Sequence, residues 1–131
     1  MKTTTVQELV AAARRDIEEI PPQAVAARMG AGAALIDVRE PTEYASGHVP
    51  GAVNIPRGVI EFEIRGNPAA GGVTAAELGS AERPIVVYCR SGGRAALAAA
   101  SLRRLGFRHV ASIAGGILAW EAAGNPITTE A

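Results

Sequence analysis

The tightest constraint on this chain is the succession Ile85-Val86-Val87-Tyr88, then Cys89-Arg90-Ser91-Gly92-Gly93-Arg94, then Ala95-Ala96-Leu97-Ala98-Ala99-Ala100. A β-branched apolar run that enters a glycine-bearing loop and leaves as an alanine- and leucine-rich segment predicts strand, tight loop and helix. Cys89, the only cysteine of the 131 residues, then stands at the end of a strand and just before a helix N-terminus. In an open α/β sheet, ligands gather there, outside the carboxyl ends of the strands.

The backbone of such a loop sets its chemistry. Successive loop N–H groups, joined by the unpaired N–H groups of the helix's first turn, can converge into a nest for negative charge. Gly92 and Gly93 permit backbone angles that a Cβ would forbid. The helix dipole, Arg90 and Arg94 all favour the thiolate of Cys89 at that focus. Cys89 is therefore the candidate nucleophile, and Arg90, Ser91, Gly92, Gly93 and Arg94 form the candidate anion-binding loop. A buried, inert cysteine is the plainer alternative, and the position at a strand-to-helix junction argues against it.

The length suits one domain with a substantial core. Thirteen basic residues balance thirteen acidic ones, so no global charge draws in nucleic acid or an anionic membrane, and any charge selectivity is local. A lone cysteine forms no intramolecular disulfide, which speaks against a secreted, disulfide-stapled fold. The first residues lack the apolar core of a signal peptide, and no apolar run approaches the ~20 residues of a membrane span. A reducing cytoplasm is the expected compartment.

Along the chain, Thr5-Val6-Gln7-Glu8 fits a capping box. Val6, Leu9, Val10, Ala13, Ile17 and Ile20 then recur at helical spacing, which predicts one helix up to Pro21-Pro22. Its apolar stripe is expected to pack on its own domain, with self-association through this helix as the alternative. A short helix is expected from Pro22 to Gly30, a strand over Ala33–Val38, a helix start at Pro41-Thr42-Glu43-Tyr44, and a short strand over Ala52–Ile55. Gly58–Ile64 is open between helix and strand, Asn67–Gly72 reads as loop, and Thr74–Leu78 reads as a capped helical turn. After the cysteine loop, Leu97, Ser101, Leu102 and Leu105 trace a helical face ended by Gly106. His109–Ile113 is the last strand and Ile117–Ala123 the closing helix. Strands alternating with helices predict a parallel α/β sandwich.

Asp37-Val38-Arg39-Glu40-Pro41, Glu43-Tyr44, Gly47-His48-Val49-Pro50-Gly51-Ala52, Asn54-Ile55-Pro56, the Cys89–Arg94 loop, Gly106-Phe107 and Gly115-Gly116 with Ala119-Trp120 together resemble the signatures of the rhodanese family of sulfurtransferases. The resemblance runs from about Pro22 to Ile127, and the set in this order is far more specific than any one piece. It implies a three-layer sandwich around a five-stranded parallel sheet with helices on both faces. It also implies a cysteine that carries persulfide sulfur from thiosulfate or another sulfane-sulfur donor to cyanide or a thiol acceptor, a protein thiol included, with no metal or organic cofactor. On this reading residues 1–21 are a helical extension, 22–127 the domain and 128–131 a tail. Ala95 departs from the family, since many relatives have serine there.

Other polar residues have plainer roles. Arg94, closing the loop, suits anion positioning better than a simple ion pair, because its guanidinium is a planar fork; Arg90 could equally contact a donor or face water. Asp37 and Arg39 are read as buried polar supports for the loop rather than catalysts, since a carboxylate beside a thiolate would oppose its charge. His48 is expected to make structural hydrogen bonds, His109 to lie on the surface and Trp120 to anchor the core. Two other functional classes compete with the sulfurtransferase. One is a cysteine-loop phosphatase, whose loop usually holds five residues between Cys and Arg where this one holds four; the other is a noncatalytic interaction module.

Overall fold

The computed structural model describes residues 3–65 and 82–130. Its frame is a wholly parallel sheet of five strands: β1 (Glu18–Ile20), β2 (Ala34–Asp37), β3 (Val53–Asn54), β4 (Ile85–Tyr88) and β5 (Val110–Ile113), in the spatial order β1-β5-β4-β2-β3. Every residue of β2, β4 and β5 is buried, as expected for parallel strands covered on both faces. β4 is central, with Ile36 opposite Val87 on one side and Val110 opposite Ile85 on the other.

Helices α1 (Val6–Arg15), α2 (Val25–Gly30), α3 (Pro41–Ser46), α4 (Ile60–Glu63), α5 (Gly93–Arg104) and α6 (Gly116–Ala122) cover that sheet. Alternation along the strands divides the core in two. Ile36, Val38, Ile85, Val87, Cys89 and Val110 meet Ile60 and Ile64 near α4 and Ala95, Ala98, Ala99 and Leu102 of α5. Leu35, Val86, Tyr88, Ala111 and Ile113 meet Val25 of α2 and Ile117 and Trp120 of α6. The Trp120 indole N–H also donates to Pro126 O at 2.7 Å, fixing the chain after α6.

Three expectations need correction. The first helix stops at Arg15, and Glu18–Ile20 is an edge strand paired with β5. Ile17 and Ile20 therefore do not continue one stripe: they join the cores on opposite faces of the sheet. Segment 1–21 thus supplies a sheet strand as well as a helix. Second, the face that α5 turns into the core is built on Ala95, Ala98 and Ala99 with Leu102, while Leu97, Ser101 and Leu105 are only half-buried. Small side chains let the helix axis come close to β4. Third, β2, β3 and β5 are each shorter than the sequence suggests, by one or two residues, and α6 keeps its expected length but begins and ends one residue earlier, the ordinary uncertainty of element ends.

The capping box forms as read: Glu8 N–H donates to the Thr5 hydroxyl oxygen, and the Glu8 carboxylate accepts from Thr5 N–H, both at 3.1 Å. α1 packs against α5 within the same domain, burying Ala13 and leaving Val6 and Leu9 exposed. The ambiguous Gly58–Ile64 segment is helical, a 3₁₀ turn over Arg57–Val59 running into α4. Asn67–Gly72, expected as loop, and Thr74–Leu78, expected as a capped helical turn, lie outside the described residues.

Candidate active site

Cys89 follows the last residue of β4 and is 1% exposed, its side chain in the α5-side core. The chain turns through Arg90 and Ser91 and enters α5 after Gly92, whose φ of 121° lies outside the range comfortable for a Cβ. Two backbone donors then face the sulfur: Gly92 N–H at 3.0 Å and Ala95 N–H at 3.4 Å from Sγ. Gly93 and Arg94, the first two residues of α5, have N–H groups with no acceptor inside the helix. An anion held on Sγ would therefore meet the Gly92 and Ala95 N–H groups at the positive end of a helix dipole.

The outer side of this loop is tied by α6. Ile117 N–H donates to Cys89 O at 2.9 Å, and Leu118 N–H donates to Arg90 O at 3.2 Å. Gly116 makes that approach possible: it has φ 60°, and a Cβ on it would lie 2.5 Å from both carbonyl oxygens. With their carbonyls engaged outward, the loop peptides can aim N–H groups inward. In the sequence Gly115-Gly116 reads only as a turn; its role as a clamp depends on a close approach between distant segments.

Arg94 donates no hydrogen bond to the sulfur. Its two terminal nitrogens donate to the Glu43 carboxylate of α3 at 2.6 and 3.0 Å, a bidentate pair. The hydrogen bonds from Arg94 hold the Glu43 carboxyl down at about 2, and the same pairing raises the Arg94 guanidinium above its ordinary range. Glu43 also accepts Glu40 N–H at 3.0 Å and so caps its own helix. Arg90 and Ser91 are exposed on the loop, and Arg90 has no ion-pair partner among the described residues. Ala95 is fully buried, so the sulfur has a backbone donor at that position and no hydroxyl.

Asp37 and Arg39 meet at the end of β2, beside Tyr88. Asp37 accepts from Arg39 N–H at 2.9 Å and from the Arg39 guanidinium at 2.7 to 3.1 Å. The same guanidinium donates to Gly47 O at 2.7 Å. Burial opposes the Arg39 charge, but Asp37 holds the guanidinium above its ordinary range. Burial and the nearby Asp37 charge push the Tyr88 hydroxyl upward, and that hydroxyl accepts Val49 N–H at 3.1 Å. Asn54 Nδ2 donates to Asp37 O at 3.0 Å and Arg39 O at 2.9 Å. The direct bonds of this network hold the segment from Gly47 to Asn54. It reaches the cysteine loop through the β2–β4 pairing, Val38 N–H to Tyr88 O at 2.9 Å.

His48 is buried, stacked on Tyr44 with ring centroids 3.7 Å apart, and its Nδ1 lies 2.9 Å from Tyr44 O. His109 is exposed beside Glu82 at 3.0 Å. Neither is placed as an acid or base at Cys89 by any hydrogen bond. Glu43 went unassigned in the sequence except as part of a motif; its sequence-level signal was its place in Glu43-Tyr44, and its pairing with Arg94 spans 51 residues.

A central parallel strand, a thiol at its carboxyl end and two backbone donors on its sulfur define a cysteine-loop α/β domain. The chain belongs to the rhodanese-like domain family, whose model matches residues 21–123. It is 36% identical over 93 residues to a sulfurtransferase of Allochromatium vinosum, covering 71% of this chain and 76% of that one. It is 32% identical over 105 residues to the thiosulfate sulfurtransferase GlpE of Stutzerimonas stutzeri, covering 80% and 85%. Among solved structures it is similar to a Rhodopseudomonas palustris protein of unknown function described as a possible tyrosine phosphatase, with TM-score 0.80, 30% identity, and 98% and 97% coverage. The family and its sulfurtransferase relatives support sulfurtransferase activity in the broad sense. Among the described residues, no helix is long and apolar enough to cross a membrane.

Proposed function

We propose that this protein moves sulfane sulfur from thiosulfate or a related donor to cyanide or a thiol acceptor through a persulfide on Cys89. The observation that carries the reading is the convergence of Gly92 N–H at 3.0 Å and Ala95 N–H at 3.4 Å on one sulfur atom. In the first half-reaction the Cys89 thiolate attacks the outer sulfur of thiosulfate. The new Sγ–S bond forms as the S–S bond of the donor breaks, and sulfite leaves with the bonding pair. In the second, cyanide or a thiolate attacks the terminal sulfur, giving thiocyanate or an acceptor persulfide and restoring the Cys89 thiolate. The loop N–H groups hold the negative sulfur as an oxyanion hole holds its charge. Each cycle starts from a reduced cysteine, which fits a reducing cytoplasm.

A phosphatase is the second reading, favoured by the description of the R. palustris neighbour. Two features of this chain favour sulfur. Only four residues separate Cys89 from Arg94, so the ring is small, and the Arg94 fork is occupied by Glu43 rather than open to three phosphoryl oxygens. The test is steady-state turnover of thiosulfate with cyanide beside hydrolysis of an aryl phosphate, for the full chain and for Cys89→Ser. Thiocyanate production by the wild type, lost in the serine variant, with no phosphate release, is expected. Phosphate release without thiocyanate would overturn the proposal.

A further inference from the structure

We propose that Arg14, on α1 and outside the family-matched segment 21–123, is a positioning residue that draws anionic sulfur donors to the Cys89 loop. The inference rests on the sulfurtransferase reading and adds a residue to it. A Cβ built on Gly92 would lie 2.9 Å from Arg14 Nη2, and one built on Gly93 would lie 3.8 Å from Val10 Cγ2. Val10 and Arg14 are one helical turn apart, so a single face of α1 flanks the loop. Side chains on a helix lean toward its N-terminus, which carries the Arg14 guanidinium up to the start of α5. Gly92 is the residue whose N–H donates to Sγ at 3.0 Å. The cation therefore stands next to the group that holds the sulfur.

Availability separates Arg14 from Arg94. Arg94 places both terminal nitrogens on Glu43 at 2.6 and 3.0 Å, and its charge is locally balanced. Arg14 has a single ion-pair partner among the described residues, Glu19, at 3.7 Å and through Nε. Its side chain is 43% exposed. Its terminal nitrogens are thus left for an incoming anion, and a charge on an exposed rim acts on encounter and binding more than on the bond-making step. Gly92 is the matching feature on the loop, because any side chain there would displace the guanidinium.

The test is steady-state thiosulfate:cyanide transfer by the full chain for wild type, Arg14→Gln, Arg14→Lys and Val10→Ala, over a range of salt concentrations, with thermal midpoints measured alongside. Arg14→Gln is expected to raise the thiosulfate KM by about tenfold, the scale of one lost charge contact, with kcat little changed. It should also flatten the salt dependence of kcat/KM, because screening acts on exposed charges. Arg14→Lys should restore most of the KM, since a point charge suffices for attraction. Val10→Ala should leave the KM as in the wild type. An active wild type whose KM and salt slope survive Arg14→Gln overturns the inference alone. So does a loss carried by kcat and shared with Val10→Ala, which would mark packing. A wild type that turns over no thiosulfate overturns the sulfurtransferase reading and this inference with it.

Discussion

Two loops leave the carboxyl ends of neighbouring strands, and they treat polar groups in opposite ways. After β2, the Asp37 carboxylate and the Arg39 guanidinium are buried against each other, and the network extends to Gly47 O, Asn54 and Val49 N–H. After β4, backbone N–H groups turn toward a single cysteine sulfur, while the carbonyls behind them are occupied by α6. One loop satisfies its charges internally and is a scaffold. The other concentrates donors on one atom, the geometry that the proposed function uses as a receptor. The contrast explains why two charged residues in a family motif, Asp37 and Arg39, support the fold without bonding to the cysteine.

The largest expected effect that would break this distinction comes from Asp37→Asn. It leaves the Arg39 guanidinium buried without its counter-ion, which should cost about 3–5 kcal/mol of stability. Urea unfolding measures that loss, while the remaining folded protein should still load sulfur from thiosulfate at a near-normal rate. A stable variant that cannot load sulfur would move Asp37 from scaffold to receptor.

Gly116→Ala sharpens the other half of the comparison. The added methyl group would meet Cys89 O and Arg90 O at 2.5 Å in a left-handed backbone, so a stability loss of at least about 2 kcal/mol is expected. Unlike Asp37→Asn, it should also slow sulfur loading of the folded protein, since the clamp that turns the loop inward is displaced. Stopped-flow loading beside urea unfolding separates the two effects.

The smallest effect belongs to the pair that joins the two loops, Glu43 and Arg94. Both partners are about one-third exposed, so Glu43→Gln should cost no more than about 1 kcal/mol. Folding lowers the Glu43 carboxyl from 4.5 to about 2. Its contribution is therefore complete above pH 4.5 and is lost as pH falls through that interval toward 2. The stability difference between wild type and Glu43→Gln should shrink across that window. A difference independent of pH there would mean that the ion pair contributes nothing.

Long apolar runs made β2, β4 and β5 legible, and the glycine loop after β4 located the cysteine without any structure. β1 was hidden because Glu18-Glu19-Ile20 is short and exposed on two of its three residues, and because Ile17 and Ile20 happen to continue the helical spacing of α1. The alanine face that α5 turns into the core was not legible in the sequence, because hydrophobicity ranks leucine above alanine, whereas close packing on a sheet selects the smaller side chain. The polarity of Asp37 and Arg39 was visible in sequence. The partner of Arg94 was not, because it lies 51 residues away on another helix, and neither was the approach of α6 to the loop carbonyls.

The central claim is that Cys89 carries one sulfane sulfur beside the Gly92 and Ala95 N–H groups, and intact-mass spectrometry of the full chain after brief exposure to thiosulfate tests it most directly. The expected result is one added sulfur on the wild type, mapped to the peptide containing Cys89, removed by cyanide and absent from Cys89→Ser. An unchanged wild-type mass under conditions that yield thiocyanate, or the same added sulfur on the serine variant, would contradict the account.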